Sequence, residues 1–435
     1  MTTSTQSMTT PIEGFKLTRK RSLAIMLVIV GILMAFFAIS NYDSSITTTL
    51  TLEEGSIGEV TAIVVPTLVF LYAVSAYMVI IGGLGIYDPP NMKLVINVLM
   101  GVGGFLTFIS VLVAAAAGGR TNIITIFTET LRLATPIAIG AMAGLWCERT
   151  GVVNIAIEGM MLVGAAFGFT ALFYMQNIWG IFPPDQINIA LTIAVLVAVL
   201  AGGIVSLLHA WLSITFATDQ IVSGTVINIL ALGVTSFMRR EVLLSTDAGL
   251  TRLPDIHIPL LSKIPIIGPA FFVGKPIFFT MFFVIIASHI ILFHTKWGLR
   301  TRAVGENPHA ADTLGIKVNQ MRWINVFFAG MIAGLAGAWF SLEATGRFTD
   351  GMTNGKGFIS LAALIFGKWT PFGAFGGAML FGFSETLGFR FQIVGVPIPP
   401  QFLQMVPYVV TIVVLAGLVG RAEPPKAIGK PYKKE

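Results

Sequence analysis

Charge is scarce in this sequence. Asp, Glu, Lys and Arg make up 11% of the 435 residues, against roughly 25% in an average soluble domain. A soluble protein of this length could not cover its surface with so few charges. Cysteine is nearly absent too: Cys147 stands alone, so no intramolecular disulfide is available. No C-x-x-C pair, Cys/His cluster or His-Glu-x-x-His accompanies the five scattered histidines, and no metal site is expected. A P-loop is missing as well. It needs G-x-x-x-x-G-K-[ST], so that backbone amides and the Lys hold phosphates. The run Gly351 to Gly357, expected in an outside loop, has one residue too few and no Ser/Thr after its Lys, and Gly367-Lys368 is followed by Trp369. Long polar stretches are limited to about 238–272 and Lys296–Arg322, which leaves no room for a soluble domain.

What is present is apolar. Hydrophobic residues make up 55% of the chain, with 33 Phe, 18 Met and 46 Gly. The glycines suit membrane helices, whose backbones approach closely at small residues. Spanning-length runs fall at 22–40, 60–86, 94–117, 122–146, 151–176, 188–217, 219–237, 273–295, 323–342 and 404–420. The stretch 357–388, broken by Lys368, Pro371 and glycines, reads as two short spans or a re-entrant pair. The expected fold is an all-α polytopic membrane protein of about twelve segments. The first run follows Lys16, Arg19, Lys20 and Arg21; at ~28 Å of helix it is long enough to span, and it is expected to stay uncleaved.

An even number of crossings puts both termini on one side, and the positive-inside rule makes that side the cytoplasm. Seventeen of the 27 basic residues then lie inside, among them Arg149, Arg300, Arg302, Lys317, Lys368 and five in 421–435. The net charge of +6 therefore reports orientation in a lipid bilayer, and no nucleic-acid partner is expected. One internal echo stands out. Gly140-Ala-Met-Ala-Gly144-Leu145 precedes Glu148-Arg-Thr-Gly151, and Gly330-Met-Ile-Ala-Gly334-Leu335 precedes Glu343-Ala-Thr-Gly346. On this topology the two helices run in opposite directions, as in inverted-repeat transporters.

The basic cytoplasmic segment carries the clearest local punctuation. Asn307 is a helix cap and Pro308 a first helical residue. His309, Ala310, Ala311, Asp312, Thr313 and Leu314 would form a short helix, and Gly315 would end it in a left-handed conformation. A short helix between two spans is what a docking partner can grip.

These residues carry a resemblance. GLRTRAVGENPHAADTLGIKV (298–318) is similar to the cytoplasmic coupling loop of permeases in the ribose-type and basic-membrane-lipoprotein-type ABC importer family. RLATPIAIGAMAGLWCERTGVVNIAIEGMMLVGAAFG (132–168) and GKGFISLAALIFGKWTPFGAFGGAMLFG (355–382) resemble its nucleoside and simple-sugar branch, in particular the second permease subunit. The resemblance implies a bacterial inner-membrane permease core over 122–421. It further implies a sibling permease, an ATP-binding subunit holding ATP and Mg, and an extracytoplasmic substrate-binding lipoprotein. Residues 1–121, with three extra helices, depart from that pattern, and 422–435 read as a basic cytoplasmic tail.

Polar groups inside spans are the candidate substrate contacts, because they are costly there without a purpose. Asn154 and Glu158 are expected at i, i+4 on one face of the helix 151–176, toward its cytoplasmic end. Gln220 and Asn228 lie two turns apart on a later helix, and Phe340 offers an aromatic face. Amides and aromatics suit nucleosides or sugars; bonding between helices is the competing role. A hydrogen-bonding Glu158 would tolerate Gln. Glu129 and Arg132, at i, i+3, read as a local ion pair. An ion-coupled secondary transporter, with Glu158 and Glu385 as its carboxylates, is the second reading of the chain.

Overall fold

The computed structural model describes residues 18–51, 62–243, 251–264, 267–394, 405 and 423–434. The expected span at 404–420 therefore lies, except for Met405, outside the described residues. Two compact units make up the chain.

The N-terminal unit holds three membrane-length helices: α1 (Arg19–Asn41), α2 (Thr67–Tyr87) and α3 (Lys93–Ala115). Strands β1 (Thr47–Thr51), β2 (Ala62–Pro66) and β3 (Arg120–Asn122) form a small sheet in the order β2-β1-β3. The apolar run at 60–86 is thus not one helix. It opens with β-branched residues in β2, and the helix starts at Thr67. Leu27, Val74, Met78 and Ile81 pack together, while Ile29, Ile32, Leu33 and Phe36 face outward, as lipid contact requires. Lys20 at the start of α1 bonds Asp88 just past the end of α2 at 2.5 Å, and that hydrogen bond holds the Asp88 carboxyl below the usual carboxylate range.

The larger unit begins with α4 (Ile123–Glu148), capped by Asn122, whose side chain accepts from the Thr125 amide. Next come α5 (Ile157–Phe173), α6 (Ile187–Ala210) and α7 (Gln220–Met238). Each continues through a wide π turn, to Ile178, Thr215 and Leu243. Strands β4 (Ile256–His257) and β5 (Val273–Gly274) pair antiparallel around α8 (Ile267–Phe271). Then follow α9 (Pro276–His294), α10 (Lys296–Glu306), α11 (Pro308–Thr313) and α12 (Val318–Ala338, extended to Thr345). The last two are α13 (Lys356–Phe366) and α14 (Pro371–Val394). Among the described residues of the whole chain, nine helices are long and apolar enough to cross a membrane.

α4 is the axis of this unit, with every residue from Ala134 to Glu148 buried. Small residues let α5 and α6 cross α12 at backbone contact: a Cβ on Gly164 would sit 2.6 Å from the Gly334 carbonyl oxygen. Such crossings replace the hydrophobic drive that lipid cannot supply.

Helix directions follow from what touches what. Arg322, near the start of α12, bonds the Thr150 carbonyl just past α4, so α4 and α12 run in opposite directions. Along α13, Ser360 faces Gly140 and Leu364 faces Gly144, so α13 runs parallel to the second half of α4. Its first residue then lies level with Pro136, near the midpoint of a helix ~39 Å long. At ~16 Å, α13 reaches only half-way across a bilayer core of ~30 Å.

This corrects two expectations. The stretch 357–388 is neither two short spans nor a short re-entrant pair, but a half-length helix followed by a 24-residue helix. Residues 351–357, read as an outside loop, descend instead to the level where α13 begins. The non-helical chain from Gly346 and α13 together make one crossing. α4–α5 and α12–α13 share one plan in opposite senses: a long helix, a left-handed glycine (Gly151, φ 86°; Gly346, φ 68°), non-helical chain, then a new helix.

Candidate functional site

The break after α4 displaces the first expected site residue. Asn154 is not helical; residues 152–154 have no regular secondary structure, and α5 starts only at Ile157. Asn154 and Glu158 therefore do not share a helix face. Exposed backbone inside a membrane must find partners within the protein, and here side chains from α6 and α7 supply them. The Val153 amide donates to Gln220 Oε1 (2.7 Å), and the Val153 carbonyl meets His209 Nε2 (2.9 Å). Asn228 Nδ2 donates to the Ile155 carbonyl (2.9 Å), and Asn228 Oδ1 accepts from the Gly159 amide (2.8 Å). His209 is held in turn by Ser223, whose hydroxyl lies 3.1 Å from Nδ1. Gln220 and Asn228 thus lie along the break between α4 and α5 and bond its backbone.

Glu158 points the other way, to the start of α13. Its carboxylate accepts from Thr353 Oγ1 (2.7 Å) and from the amides of Gly355 (2.8 Å) and Gly357 (2.6 Å). Two helix N-termini meet there, and one carboxylate satisfies donors at α13 while sitting in the first turn of α5, a favourable place for negative charge. The placement toward the cytoplasmic end is corrected accordingly, to the level of the α13 start. Lys356 beside it pairs with Glu385 of α14 at 2.6 Å. Asn154 is 0% exposed, its Nδ2 reaches only Met160 Sδ at 3.9 Å, and its Oδ1 has no protein partner. Phe340 is buried edge-on against Trp339. The Glu129–Arg132 pair forms at 3.1 Å.

At the other end of α13 the turn is strained. Lys368 and Trp369 are both left-handed (φ 52° each), which costs energy in residues with a Cβ. Trp369 is held there by α4: its indole N–H donates to Glu148 (2.6 Å), and Arg149 donates to its carbonyl (2.6 Å). Arg149 and Arg302 of α10 both stack on Phe293, at 5.5 and 5.1 Å from the ring centre.

The basic segment Lys296–Arg322 folds as two helices before α12. α11 has the expected form: Asn307 accepts from the Ala310 amide (3.1 Å), Pro308 is first, and Gly315 is left-handed (φ 80°). His309, Ala310 and Leu314 are exposed, Asp312 half-exposed, and Ala311 buried. α10 was not expected, although Thr295 caps it by accepting from the Gly298 amide (3.2 Å), a signal present in the sequence. Beside α11 a groove of about 770 Å³ is lined by Leu299, Arg300, Leu314, Ile316, Lys317 and Gln320. The described residues contain no group of acidic, His or Cys side chains that could hold a metal ion.

Membrane-length helices, two helices that start within the bundle, and a capped helix pair between two spans define a multi-pass transport permease. The chain belongs to the permease family described as branched-chain amino acid transport system / permease component, whose profile covers residues 126–415. It is 41% identical over 322 residues to the guanosine ABC transporter permease protein NupQ of Bacillus subtilis, covering 71% of this chain and 96% of the relative. It is 39% identical over 314 residues to the nucleoside ABC transporter permease protein NupC of Lactococcus lactis, with the same two coverages. A putative glucose ABC transporter permease protein of Haloferax volcanii is 30% identical over 337 residues, covering 71% and 98%. No solved structure matches the chain.

Proposed function

We propose that this permease subunit translocates nucleosides inward across the bacterial inner membrane, driven by ATP hydrolysis on a separate ATP-binding subunit. The observation that carries the reading is the α10–α11 pair: a capped helix with an exposed Leu314 beside an apolar groove edged by Arg300 and Lys317. Such a surface fits a docking partner, and the ATP and Mg would reside on that partner. A sibling permease and an extracytoplasmic binding lipoprotein complete the proposed assembly. The substrate class rests on the names of the relatives at 41% and 39% identity, and the putative glucose permease keeps simple sugars as the second choice.

The basic residues support the orientation. Arg149, Arg302, Arg322 and Lys430 gather at one end of the larger unit, linked through Phe293, Thr150 and backbone bonds. That end is the proposed cytoplasmic side. The ion-coupled alternative is weakened by its own candidates, since Glu158 accepts three hydrogen bonds and Glu385 is paired with Lys356. Pull-down of the detergent-solubilised chain tests the reading. An ATP-binding subunit should co-purify, and vesicles should take up guanosine only with ATP. Uptake driven by a proton gradient without ATP would overturn it.

A further inference from the structure

Residues 423–434 read in sequence as a basic tail, yet the structure fixes them at four points. The Ala427 amide donates to the Gly305 carbonyl at the end of α10 (2.9 Å). The Gly429 amide donates to the Gly151 carbonyl at the break after α4 (3.0 Å). Arg322 of α12, 1% exposed, donates to the Lys430 carbonyl (3.1 Å) while also holding Thr150 (3.2 Å). Tyr432, 7% exposed, packs among Val304, Ala311, Val318 and Met321, its ring 5.1 Å from that of His309. A positive-inside tail accounts for the lysines, but it does not account for a buried tyrosine.

α11 needs such support. Six residues cannot sustain a helix on their own, and only Pro308 and Ala311 of α11 are buried. Ala311 is in the cluster with Tyr432, which therefore packs under the inner face of α11. The same strap reaches the break from which the chain climbs to α5, so one segment touches both the docking helix and that break.

We propose that residues 423–434 form a strap, anchored by Tyr432, that positions α11 against the ATP-binding subunit and thereby couples hydrolysis to translocation. This rests on the importer reading above. Tyr432 acts as a positioning residue: it holds α11 and contacts neither nucleotide nor solute.

The test uses the full transporter in proteoliposomes and reads three quantities: ATP-binding subunit retained, ATP hydrolysed, and guanosine taken up. Tyr432→Ala should retain the ATP-binding subunit but lower uptake per ATP hydrolysed by about tenfold, the scale of losing a well-packed anchor. Tyr432→Phe should keep more than half of wild-type coupling. A double variant, His309→Cys with Tyr432→Cys, should be poorly coupled and should recover when a short bis-maleimide ties the tail to α11; Cys147 is buried and will not react. That comparison is internal to one preparation, so it decides the matter even if Tyr432→Ala accumulates poorly. Unchanged coupling in Tyr432→Ala, loss of the ATP-binding subunit from it, or no recovery on cross-linking would each overturn the strap. A wild-type transporter with no bound ATP-binding subunit, or with ATP-independent uptake, would instead overturn the importer reading.

Discussion

The Glu158 carboxylate lies 2.6 Å from the Gly357 amide, so the first turn of one helix caps the start of another. The two residues are far apart in sequence, and Gly357 has no room for a side chain: a Cβ there would be 2.5 Å from the Glu158 backbone. The contact fixes where both helices begin.

Glu158 is therefore expected to resist even conservative change. Its two oxygens receive three donors, and Gln would turn an NH₂ toward one of them. Glu158→Gln should cost about 1–3 kcal/mol, the price of an unmet buried donor, with lower abundance and a lower unfolding temperature in detergent. Sequence alone pointed to a silent Gln; a variant with wild-type stability would restore that expectation.

The two candidate asparagines should behave differently. Asn228→Ala removes both bonds that hold Ile155 and Gly159, leaving two backbone groups unmet at about 1–3 kcal/mol each. Asn154→Ala removes only a 3.9 Å contact to sulfur and should cost well below that. Thermal unfolding of the two purified variants makes the comparison, and equal losses would contradict the assigned bonding.

Trp369 and Glu148 should be coupled. Trp369→Phe removes the indole donor and strands a buried carboxylate, so a double variant that also carries Glu148→Gln should lose less than the sum of the singles. A double-mutant cycle is expected to give about 0.5–3 kcal/mol of interaction. Additive losses would show that the indole–carboxylate bond is unimportant.

Leu314 separates docking from folding. It is 81% exposed, so Leu314→Asp should leave the unfolding temperature unchanged. Retention of the ATP-binding subunit should fall by about tenfold or more if it is an interface anchor. Full retention would place the docking surface elsewhere.

A reporter fused after Glu435 tests the orientation. It should be active only if it functions in the cytoplasm, because the basic residues cluster at that end. Activity of a periplasmic-type reporter would reverse the topology.

The sequence by itself determined the class, most of the membrane helices and the form of α11. Each of these is local: a run of apolar residues is long enough to span, and Asn307, Pro308 and Gly315 act on their own backbone. The tertiary structure decided where helices stop inside the bundle. The non-helical chain at Val153 and Ile155 is stable because His209, Gln220 and Asn228 meet its backbone groups. The start of α13 is set by Glu158, some two hundred residues earlier. Hydropathy cannot show this, since residues 151–156 are as apolar broken as they would be helical. The tail was read for its charge, and only the packing of Tyr432 against Ala311 made it part of the fold. A buried backbone group needs a partner in space, and that partner's position along the chain is not written in the segment it satisfies.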